Sequence, residues 1–145
     1  MSQPNARRLA DQLIDVVENR DFDGLAGLVP QVVGSRAPES HLFRPLLAEL
    51  VVAVAELIRL RTGTSEVHET FTVGLFDEGN RALDIDELQP PLRAMLRAVL
   101  AELNGDAEDA RIQLEFAASD PDVAGRVDAL LHLARWVREL RPGRP

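Results

Sequence analysis

Hydrophobic spacing along the chain keeps a helical period except in one segment. Residues 46–60 read LLAELVVAVAELIRL, interrupted only by Glu49, Glu56 and Arg59. At 3.6 residues per turn Glu49 and Glu56 share one line, with Arg59 near its end, and the rest of the cylinder is aliphatic or alanine. A helix apolar almost all round sits at the centre of a fold, with others laid against it. The pattern therefore predicts a central buried helix over 41–61, capped by Ser40 with Pro45 in or just before its first turn. Thr62-Gly63-Thr64 stops it.

Upstream, Leu9, Leu13, Val16 and Val17 recur at spacings of three and four behind Pro4, which predicts a first helix over 4–19. Asn19-Arg20-Asp21 breaks it, and Asp21 is placed to cap a short helix through Phe22, Leu25, Leu28 and Val29, closed by Pro30. Residues 4–29 thus read as a helical hairpin. In residues 31–39, QVVGSRAPE, periodicity is lost and Gly34, Ser35 and Pro38 cluster, so 30–40 reads as a surface loop.

The period changes in VHETFTVGLF. Val67, Phe71, Val73 and Leu75 alternate with polar His68, Thr70 and Thr72. After the turn-forming Asp77-Glu78-Gly79-Asn80, Leu83 and Ile85 alternate with Ala82, Asp84 and Asp86. Period two in strand-favouring residues predicts a β-hairpin, 68–76 and 81–86, that lays Phe71, Val73, Leu83 and Ile85 onto the helices. The competing helix from Ser65 through Ala82 is weakened by Gly74 and Gly79. Helical spacing then returns for a three-helix unit over 87–140. Asp86 and Gln89 have capping-box spacing ahead of Pro90-Pro91, and Leu92, Leu96, Val99, Leu100 and Leu103 follow. Asn104-Gly105 ends that helix and Asp106 caps the next, which carries Ala110, Ile112, Leu114, Phe116 and Ala117. Asp120-Pro121 reads as the cap of the last helix, which runs to about Leu140. The fold class expected is mainly α: one domain over 1–145, a compact bundle of five to six helices around 41–61, with one inserted β-hairpin at about 68–86.

Within that unit, residues 92–121 resemble one tetratricopeptide hairpin. GDAEDARIQLEFAASDP looks like the second half of the repeat, with Gly105, Asp106, Ala110, Leu114 and Ala117 on matching positions. The resemblance implies a helix–turn–helix here and nothing more. Asp120-Pro121 arrives early, and Ala98 and Ala101 stand without the family's large residues. An echo of NGDAEDA at Asn104 in NRDFDGL at Asn19 does not follow the 34-residue period, and a stable array needs at least three repeats. The chain is not assigned to that family.

Composition narrows the field of functions. At 145 residues, 46% hydrophobic and 28% charged, the chain is long enough and apolar enough for one packed domain. It has no cysteine, which excludes disulfides, thiolate metal sites and a cysteine nucleophile, and suits a reducing, cytoplasmic location. The start, MSQPNARRLADQ, lacks the apolar core of a signal peptide. The longest apolar run is about 15 residues and holds two glutamates, short of the roughly 20 a membrane span needs. All 16 basic residues are arginine; GC-rich coding accounts for this more simply than phosphate grips do. A formal net charge of -8 repels a phosphate backbone, so nucleic acid is not an expected partner.

Candidate chemistry is sparse, and no cofactor is expected. Asp84, Asp86 and Glu87 offer oxygen ligands without calcium-loop spacing, and strand and cap positions account for them. His41, His68 and His132 fall in three different elements. Asp128 and His132, four apart, have the spacing of a tuned imidazole, yet with Arg135 and Glu139 they form the solvated stripe of the last helix. Arg93 and Arg97 stand one turn apart, as a grip for a carboxylate or phosphate would, or on a solvated face. No glycine-rich phosphate loop, GxSxG or HExxH is present.

The last helix carries a surplus. Beside the face of Val123, Val127, Leu130, Leu131, Ala134 and Val137 runs a second apolar line of Ala129, Leu133, Trp136 and Leu140. Together they exceed the roughly 100° a surface helix needs. Either this helix is sandwiched inside the fold, or Leu133, Trp136 and Leu140 meet another chain. With tryptophan enriched in interface hot spots, the function expected is a protein–protein interaction or self-association module, with a homodimer in view. A small-molecule-binding regulator, which Glu49, Glu56 or Arg97 inside a cavity would favour, and an enzyme of unfamiliar type are the alternatives.

Overall fold

A computed structural model describes residues 4–34, 36–62, 75–76, 82–83 and 88–141. Six α-helices occur among them: α1 (Pro4–Glu18), α2 (Phe22–Val32), α3 (Phe43–Thr62), α4 (Pro90–Leu103), α5 (Ala107–Ala118) and α6 (Val123–Leu140). A 3₁₀ turn, Ser40–Leu42, leads into α3. The helical, compact part of the expected architecture is what the structure shows.

α3 is the shared wall. Phe43, Leu46, Leu47, Leu50, Val51, Val54 and Ala55 recur at helical spacing and are all buried. Against them pack α1, α4, α5 and α6. Burial is not all-round, however: Val52, Glu56 and Leu60, on one line, face solvent. α6 lies against α1, α3, α4 and α5, and residues of both its apolar lines are buried: Leu130, Ala134 and Val137 of one, Ala129 and Leu133 of the other, with Val123 left half exposed.

Both helical hairpins turn by the same device. At the end of α1 the Asp21 amide donates to the Val16 carbonyl (2.9 Å) and the Arg20 amide to Val17 (3.2 Å). At the end of α4 the Asp106 amide donates to Ala101 (2.8 Å) and the Gly105 amide to Glu102 (3.2 Å). This is the Schellman pattern, and it needs a left-handed residue, here Arg20 (φ 52°) and Gly105 (φ 75°). The aspartate that completes the turn then caps the next helix. Asp21 accepts from the Gly24 amide, and Asp106 from that of Asp109. The NRD and NGD echo in the sequence is this combined stop and start.

Arginines tie the remaining helix ends. From the last turn of α3, Arg59 donates to the carbonyls of Glu102 (2.9 Å) and Leu103 (3.3 Å), closing α4. Arg61 places both arms of its fork on Glu139 and Leu140, each at 3.1 Å, closing α6. Arg126 joins the carbonyls of Val33, just beyond α2, and Asp120, between α5 and α6. Arg141 meets the Glu18 carboxylate at 2.7 Å, and Arg44 pairs with Glu115.

Several expectations need correction. α2 does not close at Pro30 but continues to Val32, because Val32 and the following Val33 are both drawn into the core while the proline stays exposed. The loop expected at 30–40 is shortened accordingly. The cap position of α4 is Gln89, with no side-chain bond, rather than Asp86. α6 starts two residues later than expected: Asp122 caps it, and the Asp120 carboxylate accepts the Asp122 amide instead. The inserted β-hairpin at 68–86 is not supported as an element. Of its span, only Leu75–Phe76 and Ala82–Leu83 are described, two residues each, paired antiparallel as Leu75↔Leu83 and Phe76↔Ala82. The rest, including Phe71, Val73 and Ile85, lies outside the described residues.

Two glycines of α2 separate helix propensity from packing. Alanine ordinarily improves a helix interior by about 1 kcal/mol over glycine. At Gly27 a Cβ meets nothing within 4 Å, so Gly27→Ala is expected to raise stability by roughly 0.5–1 kcal/mol. At Gly24 the same atom falls 2.5 Å from Asp21 Oδ2 and 2.9 Å from Val16 Cγ1. Displacing that cap costs about as much as alanine gains, so Gly24→Ala should show no gain or a loss. Urea denaturation of the two variants checks the contrast.

Candidate interaction surface on α4 and α5

The outer side of the α4–α5 hairpin carries exposed apolar residues. α5 buries Ala110, Leu114 and Ala117, spaced four and three apart. Ile112 and Phe116, also four apart, lie about 200° and 240° further round by the 100° step of a helix. They therefore face solvent, Ile112 41% exposed and Phe116 67%. The sequence reading grouped all five as one apolar set. Plotting them by angle would have separated the two faces.

Next to Phe116 is a cleft of about 240 Å³ between the start of α4 and the end of α5. Pro90, Pro91 and Ala94 from one helix and Phe116 and Ala117 from the other form its apolar walls. Arg93, Arg97, Gln113 and Asp120 supply its polar groups. Local sequence explains the opening. Two prolines start α4 without amide donors, and the small Ala94 and Ala117 leave room between the helices. Arg93 and Arg97 are both engaged within the chain. A second groove, shallower and of about 500 Å³, runs between α1 and α2 past Gly24 and Gly27, with Gln12, Asp15 and Gln31 on its sides.

The residues singled out on α6 are placed differently from the expectation. Leu133 is 0% exposed, a core residue that offers no area to a partner. Trp136 and Leu140 are half-buried and pack on the chain's own core. The sandwich alternative accounts for the surplus apolar surface. The Trp136 ring stacks on His132, with centroids 6.3 Å apart and planes 28° from parallel. Burial holds the His132 imidazole below its usual 6.5; Asp128 opposes this and Arg135 adds to it.

His41 is exposed, and His68 lies outside the described residues. Among the described residues, no three histidines and carboxylates are grouped to hold a metal ion. Asp84, Asp86, Glu87 and the 77–80 cluster lie outside them. Glu49 and Glu56 line neither cleft. The Glu18 side chain is 5% exposed, but its charge is met by Arg141. Among the described residues, no helix is long and apolar enough to cross a membrane. No family model, curated protein or solved structure matches the chain.

Two measurements separate surface from core. Leu133→Ala should cost about 2–5 kcal/mol, the usual range for a buried leucine, whereas Phe116→Ser should change stability by less than about 1 kcal/mol. Chemical denaturation reads both. The His132 shift gives a pH dependence whose sign is fixed. A folded-state value below 6.5 means the unfolded chain takes up the proton more readily. Stability linked to this group is therefore intact above 6.5 and falls as pH drops through 6.5 toward the folded value. Denaturation midpoints at about pH 8 and about pH 5 should fall further for the native chain than for His132→Gln.

Proposed function

We propose that this chain is a protein–protein interaction or self-association module whose contact surface is the outer face of α4 and α5. The observation that carries the reading is Phe116, two-thirds exposed beside a cleft with apolar walls. An aromatic side chain gains roughly 1.5–3 kcal/mol when fully buried, and Phe116 is left two-thirds exposed here. Aromatic anchors next to small pockets are the usual centres of binding energy in protein interfaces.

The volume of this cleft supports the interaction reading over the regulatory one at this face. Pockets that enclose small-molecule ligands run from roughly 300 Å³ upward, and the α4–α5 cleft is smaller and open. It suits one inserted side chain better than a whole ligand. Arg97 in its wall favours the small-molecule alternative and keeps that reading second. An enzyme of unfamiliar type comes third. Trp136 and Leu140 play a minor part in this proposal, since each already packs on the core. A cytoplasmic location goes with it and rests on the cysteine-free composition.

A photoreactive phenylalanine analogue at position 116, in the chain expressed in its own host, tests the proposal. Irradiation should give an adduct with a polypeptide, either a second copy or another protein. The same analogue at exposed position 56 on α3 provides the comparison. If position 116 captures no polypeptide beyond what position 56 does, the proposed surface is wrong.

A further inference from the structure

We infer that the partner at the α4–α5 face is an acidic segment of another protein. It sets an apolar side chain in the cleft and its carboxylates on Arg93 and Arg97. The inference rests on reading this face as the contact surface and adds the chemistry of the partner. Its support is the way charge is sorted around the cleft. The chain as a whole carries a formal net charge of -8, yet both cations in the cleft walls, Arg93 and Arg97, come from α4. α4 has a single carboxylate, Glu102, and the 100° step of a helix turns it about 180° from Arg93. The neighbouring acids are committed elsewhere. Glu115, beside Phe116 in sequence, is paired with Arg44 of α3. The Asp120 carboxylate accepts the Asp122 amide at 2.9 Å and lies over Gly125, at the start of α6. The cleft is thus an apolar hollow with positive charge on one wall, in a chain where acids outnumber bases 24 to 16.

Spacing fits the same partner. Arg93 and Arg97 are one turn apart, about 6 Å along α4. Carboxylates four apart on a helix, or two apart on a strand rising about 3.3 Å per residue, span that distance. Both arginines have contacts within the chain, and a guanidinium has five donors to share between those and a further acceptor. The volume of about 240 Å³ holds one apolar side chain, with the exposed Phe116 ring against it. An aromatic anchor beside charge-assisted hydrogen bonds gives a short segment affinity and register together. The charge of -8 does not forbid such a partner, because it is screened beyond about 8–10 Å while the arginines act at contact. A phosphate backbone brings charge along its whole length, whereas a short segment brings only a few carboxylates.

Selection of random peptides displayed on phage against the purified full chain tests this. Peptides that the native chain retains and Phe116→Ser loses should be rich in aspartate and glutamate next to an apolar residue. Phe22→Ser, which changes a similarly exposed phenylalanine on α2, should retain them. By fluorescence anisotropy, the double variant Arg93→Gln/Arg97→Gln should bind the leading labelled peptide about tenfold or more weakly, at unchanged helicity by circular dichroism. Replacing that peptide's acids by their amides should weaken binding to the native chain alike, a readout that does not depend on how the double variant folds. Peptides that need Phe116 but show no acidic bias, or bind as well without their carboxylates, overturn the inference and leave the contact surface standing. If no retained peptide depends on Phe116, the inference is overturned too. An adduct at position 116 then keeps the contact surface, and its absence removes both.

Discussion

A single helix has to serve as the wall for four others. α3 can do this because its buried residues recur at three and four from Phe43 to Ala55, while the Val52, Glu56 and Leu60 line faces solvent. Every partner must bring an apolar line to it, so α1, α4, α5 and α6 are held within a helix diameter of one axis. Their ends are then brought near the last turn of α3, where Arg59 and Arg61 are placed to collect the open carbonyls of α4 and α6. Packing and end-capping are thus two results of the same geometry.

Much of this was legible in the sequence, because helix periodicity and aspartate caps are local signals. α1 and α3 begin and end within two residues of the places their spacing and caps indicate, and α5 begins where its cap does. Where reading failed, a non-local force was at work. Pro30 is a good local reason to end a helix, but the burial of Val32 and Val33 outweighs it. The two apolar lines of α6 look like one face too many until four neighbouring helices are counted, which no stretch of α6 records. The cleft was invisible for the same reason: Pro90 and Phe116 are 26 positions apart and meet only because the chain doubles back at Gly105. Phe116 itself could have been found, since its angle on α5 sets it opposite Ala110 and Leu114.

Function is harder to read because the described core has no buried polar residue. Catalytic groups usually show themselves as polar atoms held where burial is costly. Here the nearly buried Glu18 carboxylate is paired at a helix end, and the His132 imidazole that burial perturbs is stacked on a tryptophan. What departs from an ordinary helical bundle is apolar and on the outside.

The arginine ties also bear on which solution conditions the fold tolerates. A guanidinium stays charged far into alkali, and the carbonyls that Arg59, Arg61 and Arg126 hold carry no proton to gain in acid. These tethers between helix ends are therefore indifferent to acidity across the whole range in which carboxylates and imidazoles titrate. A lysine-to-carboxylate version of the same joints would loosen at both extremes. Among the described residues, His132 is one place where sensitivity to acid enters, because burial holds its imidazole below the usual value. Whatever coding bias put arginine at all 16 basic positions, one result is a frame whose helix ends stay joined while its acidic surface changes charge.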